Sequence, residues 1–151
     1  MGVGKICSRD VVFARRNESV AQAAHLMREH HVGTVVVVDE RNGRRFPVGM
    51  LTDRDIAVGV VALGADPAKS NVEGAMPAEV VCVRDTDGLG RAVALMRAQG
   101  VRRLPVIDAS GALVGVLSAD DVLEVLAEEL YCLGGMMVRG ERYEREHRKA
   151  A

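Results

Sequence analysis

The sequence predicts an α/β (α+β) fold made of two tandem β-α-β-β-α repeats, and three observations carry that prediction. Residues 6–39 align with 75–108 without a gap. Met27 meets Met96, an offset of 69 residues, at which Val11/Val80, Val12/Val81, Arg15/Arg84, Ala23/Ala92, Val32/Val101, Val37/Val106 and Asp39/Asp108 are identical. Both copies run through the same order of strand-like and helix-periodic segments. Both end on one junction, Gly-apolar-apolar-Thr/Ser-x-x-Asp, at Gly49–Asp55 and Gly115–Asp121. Past Asp39 the offset falls by three, because the first copy carries extra residues around Arg41-Asn42-Gly43-Arg44-Arg45, a hairpin where insertions are tolerated. An internal repeat fixes the architecture before any element is read.

Each element follows from local chemistry. Val11–Ala14 and Val80–Val83 are short apolar strands. Ser19 with Gln22 three residues on forms a capping box. Val20, Ala23, Ala24 and Met27 then recur at helical spacing, as do Leu89, Ala92, Val93 and Met96 in the second copy. Gly88 and Gly90 weaken that second start, and Gly100 supplies its stop, where the first copy has the poorer His31. Val35–Val38 and Leu104–Ile107 are apolar without alternation, as in strands covered on both faces. Pro105 argues for a strand start or a sheet edge. Turns at Asp39–Gly43 and Asp108–Gly111 lead to strands Pro47–Leu51 and Leu113–Leu117, then to helices near Asp53–Leu63 and Ala119–Leu133. The expected organisation is a first repeat over 1–66, a linker over 67–72, a second repeat over 73–133 and a charged tail over 134–151. The tail reads as a solvated helix, as frayed chain, or as a partner-binding helix.

Composition narrows the function. Apolar residues make up 48 % of the 151, but aromatics only 3 % with no Trp, so the core is aliphatic and the stacking platforms of single-strand nucleic-acid binders are missing. Net charge is −1 with both signs interspersed, which gives no electrostatic case for nucleic acid or a membrane surface. Cys7, Cys82 and Cys132 form no CxxC, which fits a reducing, cytoplasmic setting. The longest mostly apolar run, Ile56–Ala65, is too short to span a bilayer. His25, His30, His31 and His147 have no metal-ligand spacing, so no metal is required. The chain offers no nucleophile–base pair and no glycine-rich phosphate loop, so an enzyme is not expected.

The two junctions are the candidate sites. Each is a strand end with a hydroxyl, Thr52 or Ser118, followed by acids in the first helical turn: Asp53 and Asp55, or Asp120 and Asp121. Such a junction can hold a sugar phosphate, with backbone N–H groups and the hydroxyl on phosphate oxygens and the carboxylate on two ribose hydroxyls. The alternative is plain helix capping, since acids in a first turn are favoured by the macrodipole.

The doubled order, with His31–Asp39, Val48–Asp55, Gly100–Asp108 and Val114–Asp121 in place, resembles a tandem pair of CBS (cystathionine β-synthase) domains, a Bateman module, of the stand-alone bacterial kind. The resemblance covers about Lys5 to Leu130. It implies repeats packed about a pseudo-twofold axis with two clefts, and a disc-shaped homodimer formed through helices, a contact that Ile56–Leu63 and Val122–Leu130 would suit. It also implies an adenosine ligand: AMP, ADP or ATP, with NAD or S-adenosylmethionine also known in the family. Carried over, one cleft would use Ser118 for phosphate and Asp121 for ribose, with Asp120 adjacent and Ser8, Val12, Val32 and Gly33 as its wall. The other would use Thr52, Arg54 and Asp55, walled by Pro77, Val81 and Val101, with Arg102 and Arg103 on phosphates. Arg102 stands where the first copy has Gly33, and Arg54 where the second has Asp120. The Thr52 cleft is therefore the cationic one, suited to a polyphosphate, and the Ser118 cleft has no obvious cation.

Two functions fit. One is a regulatory nucleotide sensor that signals to an unknown effector protein by a change of shape or of dimer packing. The other is a structural dimerisation scaffold with empty clefts that acts through its C-terminal tail.

Overall fold

The structure, a computed structural model, describes residues 2–148. The first repeat runs through β1 (Phe13–Arg15), α1 (Val20–Glu29), β2 (Thr34–Arg41), β3 (Arg44–Thr52) and α2 (Asp53–Ile56). A short α3 (Val72–Ala75) leads into the second, which runs through β4 (Val83–Arg84), α4 (Leu89–Gln99), β5 (Arg103–Ile107), β6 (Leu113–Ser118) and α5 (Ala119–Arg148). Each repeat makes one three-stranded sheet with the middle strand parallel to its first neighbour and antiparallel to its second. The sheets are copies down to their irregularities: the register shifts between Val37 and Val38 in one and between Val106 and Ile107 in the other. Val35–Val38 is buried throughout, as an apolar run without alternation requires. The Ser19–Gln22 capping box forms.

Several elements differ from expectation for physical reasons. The first strands are shorter and begin later than Val11 and Val80. Val36 N–H still donates to Val12 O at 3.0 Å, just ahead of β1. Its counterpart in the second repeat is Pro105, which has no N–H, so that bond is lost and β4 shrinks to two residues. Pro105 is thus neither at a strand start nor at an edge. It sits buried in the middle of the central strand β5, tolerated because its missing donor faces the chain just ahead of Val83, where β4 has not yet begun. The helix expected over Asp53–Leu63 is α-helical only to Ile56. A π turn follows over Ala57–Val61, where three valines and a glycine favour a helix poorly. The helix expected to end at Leu133 runs on to Arg148, through Gly134 and Gly135. The Arg142–Glu146 ion pair and the stacked Tyr143 and His147 rings support its far end.

The cores interlock. The segment ahead of each repeat crosses to the other sheet. Val3 and Cys7 belong to the core of the second repeat, with Val83, Met96, Leu104 and Leu117. Val72 belongs to the core of the first, with Ala14, Met27, Val35 and Leu51, and Ala75 and Met76 pack on it. The bonds that hold the crossings are copies at the same offset. Val3 N–H donates to Asp87 O at 2.8 Å and Val72 N–H to Glu18 O at 2.9 Å; Gly4 N–H donates to Asp85 O and Glu73 N–H to Arg16 O. Fully burying a valine side chain contributes about 1.5–3 kcal/mol, so each crossing is a real part of the core it enters. A break at 66 or 73 divides the sequence but not these cores.

The crossings explain the junction glycines. A Cβ on Gly115 would lie 2.6 Å from Ser8 O and 2.7 Å from Cys7 Sγ. A Cβ on Gly49 would meet the side chain of Met76 instead. Ser8 is also bonded to β6 in both directions, N–H to Val116 O at 3.0 Å and O from Val116 N–H at 2.9 Å. Pro77, its counterpart, has no N–H to give.

Two predictions follow from this packing and from the turns. Gly115→Ala is overpacked against backbone, which costs about 1–3 kcal/mol, or roughly 3–10 °C of Tm at this chain length. Gly49→Ala costs less, because the Met76 thioether can swing away; differential scanning calorimetry of the two variants reads the order. The second concerns acid. Asp108 accepts from Ser110 N–H, Ser110 Oγ and Ala112 N–H at the β5–β6 turn and pairs with Arg44 of the first repeat. The Ser110 bonds, set against some loss of solvation, hold its carboxyl at about 2. Its folded value is depressed, so its contribution is present above about 4, the unfolded value, and is lost as pH falls toward 2. Asp108→Asn should therefore flatten the acid limb of stability between those values, read by urea unfolding at pH 5 and pH 2.5.

Candidate functional site

Both junctions fold as reciprocal caps. Ser118 N–H and Oγ–H donate to Asp121 Oδ2, each at 2.7 Å, and Asp121 N–H donates back to Ser118 Oγ at 3.1 Å. Thr52 and Asp55 repeat this at 2.9, 2.7 and 3.1 Å. The next N–H of each helix is taken by the strand entry of the other half of its own sheet: Asp53 by Gly33 O at 3.0 Å, and Ala119 by Arg102 O at 2.8 Å. Arg54 N–H donates to Asp53 Oδ1 at 2.8 Å. The free N–H cradle expected at Thr52 is therefore already occupied by the protein. An anion there meets side chains, not backbone.

Three cavities lie between the repeats. The first, about 200 Å³, gathers Ser8, Val12, Val32, Ser118 and Asp121, with Asp10, Val11, Thr34, Val36, Met50, Val116 and Arg103. Gly33 is absent from this cavity and lines the second instead. Asp120 is also outside it: exposed, it pairs with Arg102 at 3.6 Å. The second cavity, about 570 Å³, brings together Gly33, Thr34, Met50, Thr52, Asp53, Arg54, Gly100, Val101, Arg102 and Arg103. Asp55 does not line it; both hydrogen bonds to its carboxylate come from Thr52. The third, about 310 Å³, is walled by Pro77, Val81 and Val101, with Met50, Glu79, Val80, Gln99 and Arg103. It is the counterpart of the first, since Pro77, Glu79, Val80, Val81, Val101 and Arg103 match Ser8, Asp10, Val11, Val12, Val32 and Thr34 at the repeat offset.

Charge divides unequally among them. The Thr52 cavity has three guanidinium groups against the single carboxylate of Asp53. The Ser118 cavity has Asp10 and Asp121, and the expectation that it lacks a cation is corrected by Arg103. Arg103 lines all three cavities, and its guanidinium donates to Thr34 Oγ1 at 3.2 Å. Met50 likewise lines all three, at the place where the second repeat has Val116. Neither Met50, Thr34 nor Asp10 is singled out by a motif. The repeat alignment carries the signal, because they are the mates of Val116, Arg103 and Glu79.

The thiols near the clefts are quiet. Cys7 is buried against Gly115, and burial pushes its thiol up from the ordinary range. Cys82 is pushed to about 11 by burial. Neither is a ready nucleophile. Among the described residues, no three His, Cys, Asp or Glu side chains gather as a metal set, and no helix is long and apolar enough to cross a membrane.

Comparison with known proteins agrees with this architecture. The family model of the CBS domain matches twice, over residues 3–61 and 72–128. An uncharacterised protein of Methanopyrus kandleri is 35 % identical over 125 residues, which cover 83 % of this chain and 62 % of that protein. The chain thus spans less than two thirds of that relative. A solved CBS-domain protein from Burkholderia ambifaria, described as of the signal-transduction kind, shares 30 % identity at a TM-score of 0.74, covering 83 % of this chain and 93 % of that one. The CBS domain pair of protein MJ0100, solved in complex with 5'-methylthioadenosine and S-adenosyl-L-methionine, has the same fold at 23 % identity and a TM-score of 0.74, covering 85 % and 98 %.

Proposed function

The chain belongs to the CBS-domain family, with two copies of the domain, and from that premise we propose that it is a regulatory module that binds adenosine nucleotides between its repeats. The observation that carries this is the Thr52 cavity. A space of about 570 Å³ opens at a helix start and collects Arg54, Arg102 and Arg103 against one carboxylate. Guanidinium groups bind phosphate oxygens through paired, charge-assisted hydrogen bonds. Three of them suit ADP or ATP better than AMP. The adjoining cavity of Pro77, Val80, Val81 and Val101 offers the apolar wall a purine needs. The Ser118 cavity is smaller, and Asp121 lines it with one oxygen outside the cap, placed for ribose hydroxyls. It suits AMP or an uncharged adenosine ligand. The adenosine compounds bound by the MJ0100 pair support the ligand class.

The output passes through a second copy of the chain. Leu123, Leu126, Leu130, Leu133 and Met137 lie on α5 at alternating spacings of three and four, all exposed. That is the seam of a helix pair. Val58, Val61 and Leu63 are exposed on the turn after α2. We assign these faces to a homodimer, whose packing would respond to the clefts and be read by an effector protein. A ligand shifts such packing only by binding one arrangement better than another. The same exposed helix also favours a second reading, a dimerisation scaffold with empty clefts that works through residues beyond Leu133.

Ligand-binding and assembly measurements test these assignments. A thermal-shift panel of AMP, ADP, ATP, NAD and S-adenosylmethionine should show a rise of roughly 5–10 °C for a ligand at about 100 times its Kd. Loss of the charge-assisted bonds to ribose in Asp121→Ala should weaken an adenosine ligand of the Ser118 cavity roughly 10- to 150-fold, with circular dichroism checking that α5 persists. A flat panel sinks the sensor, and capture of a partner by the full chain but not by one truncated after Leu133 would then establish the scaffold. For the dimer, Leu126→Asp with Leu130→Asp should give a folded monomer in sedimentation velocity where the parent sediments as a dimer. A monomeric parent refutes the interface.

A further inference from the structure

Among the described residues, Arg103 is the one cation shared by these three cavities between the repeats. It is also uncommitted. Arg102 is drawn to Asp120, whereas Arg103 makes no ion pair among the described residues and its side chain has one polar partner, Thr34 Oγ1. Its supply is unequal in value to the two clefts. The Thr52 cavity has Arg54 and Arg102 besides, but among the described residues the Ser118 cavity has no other cation, and it carries Asp10 and Asp121.

Resting on the nucleotide-binding function above, we propose that Arg103 couples the two clefts negatively: a phosphate bound at Thr52 takes this guanidinium and so weakens phosphate binding at Ser118. A guanidinium fork engages one phosphate face at a time. Two phosphates drawn to one side chain lie within about 8 Å, the screening length at physiological salt, so their repulsion persists. The cleft with three cations fills first. The second ligand then enters a cavity with two carboxylates and no free cation, which selects against phosphate and for a less charged adenosine compound. The coupling is reciprocal, as linkage demands.

The test is a site-resolved amide NMR titration with ATP, since the chain has no Trp to report binding. Val12 and Ser118 amides follow one cleft, and Arg54 and Gly100 amides the other. In the wild type, the Ser118 reporters should respond about ten-fold more weakly than in Arg54→Ala with Arg102→Ala, where the Thr52 cleft stays empty. With Arg103→Met added to both backgrounds, the two Ser118 affinities should become equal. Equal affinities already with Arg103 present would overturn the coupling while leaving nucleotide binding intact. So would a Ser118 cleft silent in every variant. No response from either cleft in the wild type would overturn the nucleotide-binding function itself, and the coupling with it.

Discussion

The exchange of lead segments between the repeats is the constraint on which the rest of the structure depends. Val3 completes one core and Val72 the other, each from the wrong side of the chain. Neither half can close its core alone. The crossings run over Gly115 and Gly49, which have no Cβ because the passing chain occupies that space. They also build the clefts. The chain that leaves each crossing, Ser8 to Val12 or Pro77 to Val81, becomes one wall of a cavity whose floor is the other sheet. Each crossing in this chain therefore leaves a cavity beside it, the first at Ser8 to Val12 and its counterpart at Pro77 to Val81.

What differs between the clefts is set by a few substitutions at matched positions. Ser8 is bonded to β6 in both directions, whereas Pro77 has no N–H for the equivalent bond to β3. Arg103 stands at the position matching Thr34, Arg102 at that of Gly33 and Val116 at that of Met50. These changes leave both sheets in the same register and both caps with the same three bonds. They alter only what fills the space above: side-chain bulk, and cations gathered on one side. Duplication supplied the scaffold twice, and divergence of side chains made its two sites unlike.

The repeat, its register and both junctions were legible in the sequence because each leaves a local mark: a fixed offset, an unbroken apolar run, a hydroxyl three residues before an acid. Other features leave none. The offset pairs Val3 with Val72 but does not say which sheet either packs on; that depends on a crossing over two glycines whose role shows only in space. Pro105 looks like an edge residue until β4 is seen to begin only one residue beyond it in the register. Asp55 has the spacing of a ribose ligand and the same cap as Asp121 bond for bond, yet only Asp121 lines one of the three cavities. Arg103 was legible as a cation of the Thr52 cleft, but its place in the lining of the Ser118 cleft shows only in space. Gly134-Gly135 suggests a helix end, and α5 runs through because the residues around the pair, Leu130 to Arg148, carry helix formers and i,i+4 partners.

The position of the sites in the fold bears on how they could signal. Ser118 is both the floor of a cleft and the cap of α5, and Asp121 is both a cavity side chain and the other half of that cap. Whatever a ligand does to Asp121 it does to the first turn of a 30-residue helix. Beyond Val122 no residue of that helix is buried, so little packing opposes its movement. At the matched junction, α2 is only four residues long and gives way to a π turn. An event in the Thr52 cleft therefore has a short lever, and one in the Ser118 cleft a long one. The cavity that gathers three guanidinium groups is thus not the one that shares its cap with the long helix, and the residue that lines both is Arg103.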